Sequence, residues 1–265
     1  MKTILLVIFF TLSLSASLIK TEIISVDYEN ETATIKLQKG DVGVSGFLVH
    51  NIAPNHSSIL KNVTVIAYDK ETKIATLQMS DFNALVNNAL PTGQWKAVPG
   101  DRVELAFGYS RSLLIAPSEE IYHQITKSVK TQWVHIDIFA TILSYRGHPT
   151  PLKEDFYAMN IASSVGLLFI YLDQRLYTID IKSFVILNIN KAQLKQDSVK
   201  LPFYSRVEKI EANWWGEGSD ELETYEPHYY ELLVESNPKN EKLYEIIKNS
   251  DEKYHYLLEN FDLGN

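Results

Sequence analysis

The side chains best suited to chemistry in this sequence are scattered. Seven histidines stand at positions 50, 56, 123, 135, 148, 228 and 255, with no HExxH pair and no two spaced as metal ligands on one element. The string Gly43-Val44-Ser45-Gly46 is one residue short of a GxSxG nucleophile elbow and falls among short alternating runs, so it reads as a turn. Gly216-Glu217-Gly218 lacks the preceding strand and following helix that make a GxG a phosphate loop. Asp137, Glu154 and Asp155 each fall near an expected helix start, where the helix dipole and free N–H groups already favour negative charge. Trp133-Val134-His135 beside Asp137 is the one place where an imidazole within reach of a carboxylate could be tuned as a base. From these patterns no catalytic residue, no metal site and no cofactor is expected.

A second kind of chemistry is aromatic. The run LPFYSRVEKIEANWWGEGSDELETYEPHYY, from Leu201 to Tyr230, sets three aromatic pairs among carboxylates: Phe203-Tyr204, Trp214-Trp215 and Tyr229-Tyr230. In one reading Phe203, Tyr204 and Trp214 cover the last strand and close the domain, the ordinary use of large aromatic rings. In another, Trp214 and Trp215 anchor a protein or glycan on a binding face. A catalytic rim is the third.

The elements that would position these residues follow from periodicity. Alternating runs fill the chain from Glu22 to about Pro117: Ala33/Ile35/Leu37, Val63/Val65/Ala67, Ala75/Leu77/Met79 and Val103/Leu105/Phe107, cut by Gly40, Gly43, Gly46 and Pro99-Gly100-Asp101. Short, evenly spaced strands of period two predict a small β-barrel-like or β-sandwich domain over 18–117. After Pro117 the period lengthens. Ser118 caps a helix with Glu119 and Glu120 in its first turn, a second runs from His135 to Tyr145, and Thr150-Pro151 opens a third. Val165 to Ile189 reads as a three-strand antiparallel meander with turns at Asp173-Gln174 and Lys182-Ser183, so 118–215 is expected as an α+β domain. Residues 216–265 form a helical acidic tail in which Asn237-Pro238 opens a helix and Asn249 with Glu252 re-caps a second. The fold class expected for the whole is α+β.

Charge excludes one class of partner. The 265 residues carry 25 basic and 33 acidic side chains, and 13 of the acidic ones but only 4 of the basic ones lie from Glu217 onward. A neutral body with an acidic tail offers no basic face to a phosphate backbone, so no nucleic acid is expected. The start, MKTILLVIFFTLSLSAS, has one lysine, an apolar run from Ile4 to about Leu12 and small residues after it. That is the pattern of a secretory signal ending near Ser17, the alternative being an N-terminal membrane anchor, for which the run is short of the ~20 apolar residues of a span; no later stretch approaches that length. Export without a single cysteine is compatible with a bacterial envelope, at the cell surface, associated with the outer membrane or periplasmic.

Five strings carry a resemblance that these patterns do not. GVSGFLVHN (43–51), GYSRSLLIAP (108–117), WVHIDIFATILSYRGHPTPLKEDF (133–156), VGLLFIYLDQRLYTID (165–180) and LPFYSRVEKIEANWWGEGS (201–219) occur in the order of one family. The chain resembles the N-terminal domain of bacterial plasminogen-binding surface proteins. The resemblance implies an exported, non-enzymatic envelope or surface protein with host plasminogen as its partner; the alternative is a periplasmic structural or assembly component. It also implies a long charged extension ending in lysine, because kringle domains grip an ammonium and a carboxylate together. This sequence ends at Phe261-Asp-Leu-Gly-Asn265 instead. If plasminogen is held here, an internal substitute for that ligand is read where lysines recur with carboxylates one helical turn away, on a face shared by Lys242, Glu245, Lys248 and Glu252; the other reading of that face is a solvated helix surface with weak ion pairs.

Overall fold

A computed structural model describes residues 18–54, 56–82 and 95–264. The segment 1–17, read above as a secretory signal, lies outside the described residues. Six strands, β1 (Ile19–Asp27), β2 (Thr32–Lys36), β3 (Ser45–Ala53), β4 (His56–Asp69), β5 (Ile74–Asp81) and β6 (Arg102–Leu105), close into an antiparallel barrel in the order β1-β2-β5-β4-β3-β6. The period-two residues point inward as expected: Ala33, Ile35, Val63, Val65, Ala75, Leu77, Met79, Val103 and Leu105 are all buried. Short β6 completes the ring because it bonds β1 on one side and β3 on the other. At that seam Gly46 faces Leu105, and a Cβ there would stand 2.1 Å from the Glu104 carbonyl oxygen, so only glycine lets the two backbones meet.

Two residues depart from the alternating pattern. A β-bulge between Val65 and Ala67 turns Ala67 out of the barrel and leaves Ile66 exposed as well. Phe107 lies beyond the end of β6, where Ala106 at φ 58° redirects the chain, and its ring packs edge-on against Phe47 at 5.2 Å.

The second sheet has the order β11-β10-β9-β7-β8, built from β7 (Arg111–Ile115), β8 (Gln132–Trp133), β9 (Leu167–Leu172), β10 (Arg175–Asp180) and β11 (Ile186–Lys191). The meander expected over 165–189 is β9, β10 and β11. Strand β7 does not alternate: Ser112 to Ile115 are all buried, and it hydrogen-bonds to β8 and β9, so sheet membership changes between Leu105 and Arg111 rather than at Pro117. Its neighbours run parallel to it, and parallel pairing needs long crossovers. Three helices lie in those crossovers: α1 (Glu119–Ser128), α2 (Ile136–Arg146) and α3 (Lys153–Ser163). Ser118 caps α1 by accepting from the Ile121 N–H, and His135 caps α2. Helix α3 starts two residues after Pro151, with Leu152 at its N-cap and the Asp155 carboxylate accepting the Leu152 N–H at 2.7 Å.

The acidic tail is part of this layer rather than an appendage to it. Helix α4 (Tyr225–Ser236) buries Tyr225, Tyr229, Tyr230 and Leu233 in the same core as the second sheet. Asn237 closes α4 rather than opening a helix; its side chain accepts from the Ile186 N–H at 2.8 Å and donates to the Phe184 carbonyl at 3.0 Å. Helix α5 (Glu241–Lys248) begins from Asn240, and the chain re-caps at Asp251 for a 3-10 helix over Glu252–Asn260.

Candidate binding surface

The residues singled out for acid–base chemistry are committed to structure. His135 and Asp137 do meet, at 3.4 Å, but His135 Nδ1 accepts the Asp137 N–H at the start of α2. The Asp137 carboxylate takes the Arg206 N–H at 2.9 Å, Arg206 Nε at 2.7 Å and the Ser205 hydroxyl at 3.1 Å. Burial opposes its charge, yet the hydrogen bonds from Arg206 and Ser205 outweigh burial and hold the carboxyl below its ordinary range. The indole N–H of Trp133 caps the end of α1 through the Thr126 and Val129 carbonyls. Asp155, fully buried, accepts from Arg146 Nε, from His148 at 2.9 Å and from the Leu152 N–H, so it clamps the end of α2 to the start of α3. No group of three or more His, Asp or Glu able to hold a metal ion occurs among the described residues, and no helix there is long and apolar enough to cross a membrane.

Sequence reasoning passed over the most connected carboxylate. Asp180, at the end of β10, is fully buried; its Oδ2 accepts the Ser45 N–H at 2.9 Å, the Ser45 hydroxyl at 2.7 Å and the Tyr109 hydroxyl at 2.7 Å. Its Oδ1 accepts the Lys182 and Ser183 N–H groups at 3.0 and 2.8 Å. The Ser of the Gly43–Gly46 string is therefore a joint between barrel and second sheet. Burial and the Asp180 charge raise the Tyr109 hydroxyl far above its ordinary value. Lys182 reaches back over the Phe47 ring at 3.9 Å to Asn62 Oδ1 at 2.8 Å, and burial lowers its ammonium to about 8. An aspartate inside the apolar run Tyr177–Ile181 was the available signal, since a carboxylate is buried only where donors surround it.

The aromatic stretch divides. Phe203 is buried and stacks on Phe139 at 5.5 Å, which stacks on Phe156 at 4.7 Å, which meets Phe184 at 5.4 Å, a continuous aromatic seam through α2 and α3 to the meander. Tyr204 is buried against Tyr122 and hydrogen-bonds Glu119. Tyr229 donates to the Pro202 carbonyl and Tyr230 meets Tyr177 edge-on. Trp214 does not join this seal: it is 95% exposed and Trp215 is 82% exposed. Their loop is nevertheless fastened. Asn213 donates to the Gly147 and Arg146 carbonyls at 3.0 and 2.7 Å, the Glu211 N–H donates to Ser144 Oγ, and Thr150 donates to the Gly218 and Asp220 carbonyls from the other side. Gly147, left-handed at φ 74°, packs so closely on Asn213 that a side chain there would collide with it. Tyr145, between Ser144 and Arg146, is 92% exposed.

The family described as "Plasminogen-binding protein pgbA N-terminal" matches residues 18–233, which takes in the barrel, the second sheet and α4 as far as Leu233. The chain belongs to this family. Its relatives include "Plasminogen-binding protein PgbA" of Helicobacter pylori strain J99 and of strain 26695, each 30% identical over 207 residues. The alignment covers 76% of this chain and 44% of each relative, so the chain spans less than half the length of the curated relatives it matches. No solved structure matches.

Within the family unit lies the tryptophan loop; the lysine segment lies beyond the matched residues. The four residues expected on one face there are not on one. Lys242 Nζ donates to the Ile189 carbonyl of β11 at 3.0 Å, and Glu252 belongs to the 3-10 helix after the break. Lys248 stays exposed, 3.8 Å from Glu245, and Lys253 lies 3.8 Å from Asp251 in the same exposed setting. Lys242 reaches the edge strand β11 through a bond between residues 53 apart, which spacing alone does not reveal.

Proposed function

We propose that this protein is an exported, non-enzymatic component of the bacterial cell envelope that captures host plasminogen. The match of the folded unit over 18–233 to a family of plasminogen-binding proteins carries the reading. Two observations accompany it. The carboxylates near histidine in α2 and α3 are consumed by capping and clamping bonds, which leaves them no role in proton transfer. Two exposed lysines, Lys248 and Lys253, each have a carboxylate within 3.8 Å; a lysine-reading domain grips a cation and an anion about a lysine's length apart, and these solvated side chains are free to separate to that spacing. Lys242 has no part in that contact because it is spent on β11.

Purified chain from Leu18 onward, passed over immobilised plasminogen, is expected to bind and to be released by a free lysine analogue. Lys248→Ala with Lys253→Ala is expected to weaken that binding at least tenfold without changing stability, since exposed ion pairs contribute about 0–1 kcal/mol to folding. Binding that no lysine analogue displaces would refute the lysine contact, and absence of binding would leave a scaffold of the envelope. Export is tested separately, by cleavage of the protein with protease added to intact cells.

A further inference from the structure

We infer that the Trp214–Trp215 loop is a docking surface for a lysine- or arginine-bearing segment of a protein partner. The inference does not depend on plasminogen. Three large aromatic side chains, Tyr145, Trp214 and Trp215, are 82–95% exposed on two segments bonded to each other. Single exposed apolar residues are ordinary, but three of this size on one fastened feature are not. The bonds from Asn213, Glu211 and Thr150 hold the loop at both ends, so the backbone that carries the indoles has little ordering entropy left to lose on binding.

The charge around the rings selects the occupant. Glu208, Glu211, Glu217, Asp220, Glu221 and Glu223 are all exposed, against the single cation Lys209 between 208 and 224. None of these carboxylates has an ion-pair partner among the described residues. Nor does a cation lie over either indole there. An indole face attracts an ammonium or guanidinium, and surrounding carboxylates add to that field. An anionic or zwitterionic lipid surface would bring phosphates toward these carboxylates, and a neutral sugar would leave the field unanswered. A cationic side chain uses both features at once.

The test is a titration of the purified chain with fluorescein-labelled octalysine at low salt, read by anisotropy. The unaltered chain is expected to bind with strong salt dependence. Trp214→Ala with Trp215→Ala keeps every charge and is expected to weaken binding about tenfold, from two cation–π contacts at exposed sites. Glu217→Gln with Asp220→Asn and Glu221→Gln is expected to flatten the salt dependence. Both sets lie on the surface, and unchanged thermal midpoints would show that folding is intact. Equal affinity with and without the indoles would overturn the inference, since charge alone would then explain binding. Partition into phosphatidylcholine vesicles without octalysine binding would overturn it too, assigning the loop to a membrane.

Discussion

Asp180→Asn isolates the joint between barrel and second sheet. The carboxylate receives five hydrogen bonds, three on Oδ2 and two on Oδ1. The amide keeps one oxygen, so one set of donors must face an NH2 group. If the nitrogen replaces Oδ1, the backbone N–H groups of Lys182 and Ser183 are both stranded. If it replaces Oδ2, the Ser45 and Tyr109 hydroxyls can turn to accept, and only the Ser45 N–H is stranded. The second arrangement is cheaper, and a stranded buried donor costs about 1–3 kcal/mol. The bonds that survive lose their charge assistance, a further loss of roughly 1–2 kcal/mol in sum. The expected destabilisation is therefore about 2–5 kcal/mol, a large fraction of the roughly 5–15 kcal/mol that holds a folded domain. Urea unfolding followed by circular dichroism gives the value directly. Tyr109→Phe, which removes one donor and leaves the carboxylate four, should cost only about 1–2 kcal/mol. A loss below ~1 kcal/mol for Asp180→Asn would mean that water or rearranged backbone satisfies these donors, and the joint would not be what holds barrel to sheet.

Other outcomes follow from the same geometry. Burial holds Lys182 at about 8 against 10.5 for a free lysine, so between those pH values the unfolded chain binds more protons and stability rises, recovering a penalty of about 3 kcal/mol. Above about pH 10.5 the slope reverses, because the unfolded chain loses tyrosine protons while burial keeps Tyr177 protonated to about 12; urea midpoints from pH 7 to 11.5 should trace both limbs, and Lys182→Met should abolish the rise. Lys242→Ala should lower stability by about 1 kcal/mol by baring the Ile189 carbonyl while leaving plasminogen binding unchanged; a fall in binding at full stability would contradict its assignment to β11. Phe203→Ala should cost about 3–5 kcal/mol in the thermal or urea transition, since it opens the aromatic seam at Phe139, whereas an effect near zero would show that the strap over 201–205 is not part of the core.

The local order of this protein was written in its sequence. Alternation at Ala33/Ile35, Val63/Val65, Ala75/Leu77 and Val103/Leu105 specified half-buried strands, because a strand with one face in a core must repeat every second residue. Ser118, the acidic first turn after it and the turn at Asp173-Gln174 marked their elements through interactions that span only a few residues. The family, too, was legible in five strings. What the sequence could not assign was the partner of each element. Strand β7 falls inside the span read as barrel, yet it is buried without a break from Ser112 to Ile115, and the crossovers through α1 to α3 carry it into the second sheet. Asn237, Lys242 and Asp180 have side chains whose purpose depends on atoms 50 or more residues away, at Ile186, Ile189 and Ser45. The three aromatic pairs between Leu201 and Tyr230 look alike as letters. Tertiary packing buried two of them and left Trp214 and Trp215 in water, because the bonds that fasten their loop are backbone and amide contacts to α2 that need neither ring.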